Sequence, residues 1–182
     1  NEKVPSPFYR ATELLNHYNE LTLQFKGFNV IFRAYNDGIA YRFVNKGKKP
    51  FNVVNELVDY HFPADGTSSV PYVKQRQGQN RWANSFENYY ANEPLSKLEK
   101  EKLIFLPLVV SMDNNVKVCI TEVDLENYPG LYITGQGNTQ LRGEFALYPK
   151  RTEQGGHNNL QMIVKETENF IAKVDKPRNF PW

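Results

Sequence analysis

The sequence predicts an all-β protein built as an antiparallel sandwich, and three observations carry that expectation. Twelve Phe and eleven Tyr bring aromatics to 14% of 182 residues, with 40% hydrophobic overall, a mix that suits pleated, half-buried strands better than long helices. Apolar side chains recur at every second position over several stretches, the period of a strand with one face inward. Those stretches are short and are separated by Gly, Pro and Asn, the punctuation of sandwiches and barrels.

The alternation begins at Leu21, Leu23 and Phe25, and Gly27 then allows a turn. Residues 28–35 place Phe28, Val30, Phe32 and Ala34 on one face and Asn29, Ile31, Arg33 and Tyr35 on the other. The run stops at Asn36-Asp37-Gly38 and resumes with Ile39, Tyr41 and Phe43. Asp-Gly accommodates the positive backbone angles of a tight hairpin turn, so a hairpin is expected here. A second hairpin is expected where residues 106–112 lead into Asp113-Asn114-Asn115 and Val116, Val118 and Ile120 return. Pro107 marks its first strand as an edge or bulged strand. Further strands are expected over residues 51–54, 58–62, 131–134, 141–147, 160–165 and 170–174. Residues 94–103, with Pro at the start and Lys and Glu interleaved, predict one or two helical turns.

The length fits one domain with a real core and falls short of two comfortable ones, so residues 1–182 are expected to form a single domain. Basic and acidic side chains number 22 and 20, leaving +2 with no basic run, and no nucleic-acid partner is expected. No stretch is long enough to cross a bilayer. Residues 1–7 lack the charged-then-apolar layout of a secretion signal, so the expectation is a soluble chain carrying no leader. The lone cysteine, Cys119, excludes an internal disulfide and a cysteine zinc site. It is expected to be a buried strand thiol.

Residues 63–92 are rich in Gly, Ser, Asn and Gln yet contain Tyr72, Trp82, Phe86, Tyr89 and Tyr90. Such rings can stack on sugars, or they can pin a long loop onto a sandwich. Carboxylates for glycosidic chemistry are present in Asp59, Asp65, Glu122, Asp124 and Glu126, but a chain with this many acids supplies accidental pairs. Glu122 and Asp124 are two apart at the end of an expected strand, which directs both to one face. They could hold a hard cation or be solvated strand-end residues; calcium takes about six to eight oxygens, so other segments would have to help. His17, His61 and His157 sit in unrelated contexts, and no nucleophile elbow, phosphate loop or dinucleotide fingerprint is present. Gly135-Gln136-Gly137 is expected to be a flexible turn.

Read in order, Asn16-His17-Tyr18-Asn19-Glu20-Leu21, the run from Phe32 through Asn36-Asp37-Gly38 to Phe43, Phe62-Pro63-Ala64-Asp65, Ile120-Thr121-Glu122-Val123-Asp124-Leu125 and the closing Asn179-Phe180-Pro181-Trp182 resemble the amino-terminal domain of glycoside hydrolase family 97. The resemblance implies a galactose mutarotase-like β-super-sandwich, here its larger carboxy-terminal part and incomplete at its amino-terminal end. It implies a parent enzyme that acts on α-linked glucosides or galactosides, is periplasmic or secreted, and carries its catalytic carboxylates on a following (β/α)₈ barrel. On that basis the chain alone is expected to be inactive, with no catalytic residue of its own. The barrel and an α-linked oligosaccharide are its implied partners, and calcium its implied cofactor, shared with the barrel and not firmly held by this chain alone. Glu122 matches the family's one sandwich-borne calcium ligand. A different class of function remains open: a stand-alone carbohydrate-binding module stacking sugars on Trp82, Tyr89 and Tyr90. Sheet edges left open in an incomplete sandwich would also invite self-association.

Overall fold

The computed structural model describes residues 2–7, 10–75, 80–82 and 88–182, apart from the side chain of residue 114. Phe86 of the aromatic loop lies outside the described residues. The chain divides into two compact units, Asn1–Pro50 with Val174–Trp182, and Phe51–Lys173. Nearly all regular structure is antiparallel strand, as the alternation predicts.

In the first unit β1 (Glu2–Pro5) pairs with β2 (Glu13–Asn16). A four-stranded sheet follows, built from β3 (Asn19–Gln24), β4 (Phe28–Ala34), β5 (Ile39–Asn45) and the late strand β17 (Arg178–Asn179) in the order β17-β5-β4-β3. Register follows the alternation: Leu21 faces Phe32, Phe32 faces Tyr41, and Val30 faces Phe43. Gly27 takes the left-handed φ of 95° that its turn needs. The β4–β5 hairpin forms where Asn36-Asp37-Gly38 stands, but no residue there has a positive φ. The loop instead closes through the Tyr35 N–H donating to the Gly38 carbonyl at 2.8 Å, a longer connection that does not demand mirror-image angles.

The second unit contains β6 (Phe51–Val53), β7 (Asp59–His61), β8 (Thr67–Val70), β9 (Ala91–Pro94), β10 (Leu108–Ser111) and β11 (Lys117–Ile120). Beyond them come β12 (Tyr132–Gly135), β13 (Gln140–Glu144), β14 (Pro149–Gly155), β15 (Gln161–Thr167) and β16 (Ala172–Val174). One sheet runs β11-β10-β8-β9 and another β12-β13-β7. Val70, Leu108, Val110 and Ile120 from the first of these sheets share one core with Ile133 and Leu141 from the second, closed by Tyr72, Leu95, Leu98 and Ile104. Two layers facing each other across a buried apolar core make this a sandwich. Strand β6 pairs with β16, and β14 with β15 as a separate ribbon. That ribbon is laced by Arg151 to Glu166 at 2.8 Å, Lys165 to Glu153 at 3.6 Å, and Arg151 to Glu153.

The helical pattern over residues 94–103 yields one 3₁₀ turn, Leu95–Lys97, within the one or two turns expected; it goes no further because Pro94 is already the end of β9 and Leu95 and Leu98 are drawn into the core. Several other expectations are corrected. Strand β10 is interior, with β11 and β8 on its two sides. Pro107 does not disturb it, since the ladder begins one residue later. Cys119 is exposed: β11 is an edge strand, and its neighbour Ile120 takes the inward position. The alternation through Glu122 and Asp124 stops as well, because β11 ends at Ile120 and Asp124 adopts φ 62°. Gly135 closes β12 and is buried, where a Cβ would stand 2.5 Å from that of Leu98, so the residue serves close packing. Of the two glycines in that triplet, Gly137, with φ 74°, is the one that behaves as a turn glycine.

Candidate functional site

The segment after β11 sets the geometry around Glu122. Asp124 and Asn127 both take left-handed angles, φ 62° and 49°, a conformation that Asp and Asn tolerate better than other side chains. The Glu126 N–H donates to the Asp124 carbonyl at 2.8 Å. The chain thereby folds back, and the Leu131 N–H donates to Glu122 Oε1 at 2.9 Å just before β12 begins. Glu122 is half-buried. Burial first, and the negative charge of Glu56 after it, push the Glu122 carboxyl above the usual range, against the opposing pull of the Leu131 N–H. Its Oε2 accepts no hydrogen bond among the described residues.

Glu56, which the sequence reading did not single out, is near enough for its charge to act on Glu122. The Tyr128 hydroxyl donates to Glu56 Oε2 at 2.7 Å. Burial raises the Glu56 carboxyl, and the Tyr128 bond opposes that. Tyr132, the first residue of β12, is itself pushed up by burial and by the charge of Glu122. The only sequence signal for Glu56 is a charged residue between two apolar runs, which is too common to stand out.

The remaining acidic candidates have structural partners. Asp59 pairs with Arg142 at 2.9 Å across β7 and β13. Asp65 receives the Ser96 N–H at 2.9 Å and the Ser96 hydroxyl at 2.6 Å, and these bonds hold its carboxyl below the usual range. Asp124 and Glu126 belong to the turn already described and do not converge with Glu122 as neighbours on one strand face. Among the described residues no group of three or more His, Cys, Asp or Glu side chains is placed to hold a metal. Nor is any helix long and apolar enough to cross a membrane.

The loop aromatics part company. Trp82 is half-buried and packs edge-on against Tyr132 with ring centres 5.1 Å apart, and Tyr132 meets Phe105 at 5.2 Å. The Arg81 guanidinium lies 5.1 Å from the Trp82 ring centre. Tyr89 is 94% exposed and Tyr90 51%. No ring contact joins either tyrosine to Trp82 among the described residues.

Fold and sequence together define the class: an all-β sandwich domain of a carbohydrate-active enzyme. The family model described as Glycosyl-hydrolase 97 N-terminal matches residues 1–182, and the chain belongs to that family. It is 65% identical over 187 aligned residues to a retaining alpha-galactosidase of Bacteroides thetaiotaomicron, covering 100% of this chain and 28% of that protein. Solved structures of a glycoside hydrolase family 97 enzyme from Pseudoalteromonas sp. strain K8 share the fold. An arginine-to-lysine variant superposes with a TM-score of 0.71 at 17% identity, and the enzyme in complex with acarbose with 0.70 at 18%. Each covers 100% of this chain and 25% of the solved chain. The chain therefore spans about a quarter of the length of the proteins it matches.

Proposed function

We propose that this domain is the non-catalytic sandwich of a calcium-dependent, α-galactosidase-type glycoside hydrolase, packing on a (β/α)₈ barrel and supplying one calcium ligand through Glu122. The substrate class is an α-linked galactoside, supported by the 65% identity to a retaining alpha-galactosidase, with α-glucosides as the second class. We infer that the parent enzyme acts in the periplasm or outside the cell, a reading carried over from the family resemblance.

The observation that carries the calcium role is the state of Glu122. A carboxylate is the hard oxygen donor that calcium prefers. Here it is half-buried, held from one side by the Leu131 N–H, and keeps Oε2 without a hydrogen bond among the described residues. One such donor fits a shared site and not a complete cage. When bound, calcium supplies Lewis-acid polarisation and a template for substrate hydroxyls. This chain's part is to present one oriented carboxylate and to keep bulk water from half of it.

Glu122→Gln in the complete enzyme should weaken calcium binding by at least tenfold and lower activity on a p-nitrophenyl α-galactoside. Circular dichroism of the sandwich should not change. Calcium affinity equal to that of the unmodified enzyme by titration calorimetry would remove the assignment.

The near-full exposure of Tyr89, with Tyr90 beside it, favours one further reading, a carbohydrate-binding surface on which sugars stack. Calorimetry with α-linked galacto- and maltooligosaccharides against Tyr89→Ala and Tyr90→Ala tests it. Binding heats that the two substitutions leave unaltered would discard it.

A further inference from the structure

A single short segment fastens two carboxylates. At one end the Tyr128 hydroxyl donates to Glu56 Oε2 at 2.7 Å, and three residues later the Leu131 N–H donates to Glu122 Oε1 at 2.9 Å. Pro129 between them restricts the backbone. The Tyr128 ring is fixed in turn by an edge contact with Phe145, centres 6.2 Å apart at 72°. Glu56 comes from a different part of the chain, between β6 and β7, where the Gly143 N–H donates to the Val58 carbonyl at 2.7 Å and ties that stretch to β13. Both anchors therefore rest on one sheet.

Each carboxylate uses one oxygen for its anchor. Glu56 Oε1 and Glu122 Oε2 accept no hydrogen bond among the described residues, and neither group forms an ion pair there. Two like charges partly withdrawn from water without a cationic side chain oppose folding. A bound cation reverses the sign of that arrangement, since both charges then attract it.

We propose that Glu56 is a positioning residue for the calcium that Glu122 ligates, adding a second fixed negative charge beside the site and reaching the ion through water instead of by direct coordination. This rests on the calcium reading of Glu122. The two hydrogen bonds that hold Glu56 and Glu122 from positions three residues apart on one segment support it. Groups that orient or tune a metal ligand from outside its coordination shell typically change metal affinity by about 10–100-fold when substituted.

The test is calcium titration calorimetry on the complete enzyme, unmodified and as Glu56→Gln, Tyr128→Phe and Glu122→Gln. Each protein is also melted in chelator. Glutamine keeps the shape of Glu56 and its acceptor for Tyr128 while removing the charge. The expected result is roughly tenfold weaker calcium binding with an unfolding temperature in chelator equal to or above that of the unmodified enzyme. A purely structural Glu56 would give the opposite sign, a lower unfolding temperature in chelator. Tyr128→Phe, which releases Glu56 without touching its charge, should weaken calcium binding by about tenfold, the low end for such groups, by loosening the placement, and it carries the test if Glu56→Gln does not fold. Calcium affinity within twofold in both variants, with a large loss in Glu122→Gln, overturns this inference and leaves the Glu122 reading standing. Unchanged affinity in Glu122→Gln overturns both.

Discussion

In the second unit Leu108, Val110, Ile133 and Leu141 are fully buried between two sheets, whereas in the first unit Leu21, Phe28 and Phe43 keep 58%, 40% and 37% of their surface exposed. Both regions obey the same period-two pattern. In the second, the inward residues of β8, β10 and β11 meet those of β12 and β13, and the area removed from water stabilises the sandwich at about 25 cal/mol per Å². In the first, the sheet β17-β5-β4-β3 relies more on its hydrogen-bonded ladder and on contacts at its other face. There Trp182 lies under two guanidinium groups, Arg42 at 4.2 Å and Arg33 at 4.4 Å, and Arg33 also covers the Tyr18 ring at 4.2 Å and pairs with Glu20 at 2.9 Å. An apolar stripe in a sequence thus states what a strand could bury, and a facing sheet decides what it does bury.

The largest effect that would break this contrast comes from cavity formation. Ile133→Ala should lower stability by about 2–5 kcal/mol in urea unfolding, while Leu21→Ala should cost under about 0.5 kcal/mol. Equal losses at the two positions would mean that the first unit depends on burial as much as the second does. Next in size, Trp182→Ala removes both cation–π contacts and should cost about 1–2 kcal/mol, seen as faster amide exchange in β3, β4 and β5 with β10 to β13 unaffected. Exchange rising evenly through both units would contradict the division.

The smallest effect is pH-dependent. Burial raises Glu56 and, together with the charge of Glu56, raises Glu122. A carboxyl raised on folding contributes stability that is fully present below its unfolded pKa and is lost as pH rises through its folded pKa. The metal-free protein should therefore gain unfolding temperature from Glu56→Gln at about pH 7 and gain nothing at about pH 4, near the unperturbed carboxylate range. A gain that is the same at both pH values would show that charge is not its origin.

How far the sequence could be read follows from which residues carry a pattern. Strands β3, β4 and β5 alternate cleanly and were legible, though the form of the turn between β4 and β5 was not; β10 to β12 were legible within about two residues, while β13 stops at Glu144, short of the expected residue 147. Strand β8 (Thr67–Val70) and β14 (Pro149–Gly155) were not, because Thr-Ser-Ser-Val and a run of charged residues have no apolar alternation; their partners β10 and β15 make them strands. Cys119 shows the same dependence, since edge or interior placement is a property of the sheet and not of the strand. Glu122 entered through the family motif, and its strand-face pairing with Asp124 was lost to a left-handed turn that Asp124 and Asn127 adopt only in context. Glu56 depended on a hydrogen bond spanning 72 residues to Tyr128, for which local spacing offers no sign.

Among the described residues the ribbon of β14 and β15 pairs on one side only, so each strand leaves backbone N–H and C=O groups facing outward. Flanking those groups are Lys150, Arg151, Glu153, Lys165 and Glu166, all exposed and cross-linked by charge. An incoming strand would have to strip the hydration of five ionised side chains before gaining its first backbone bond. This long hairpin is consequently a poor template for fibril growth, whatever the rest of the molecule docks against.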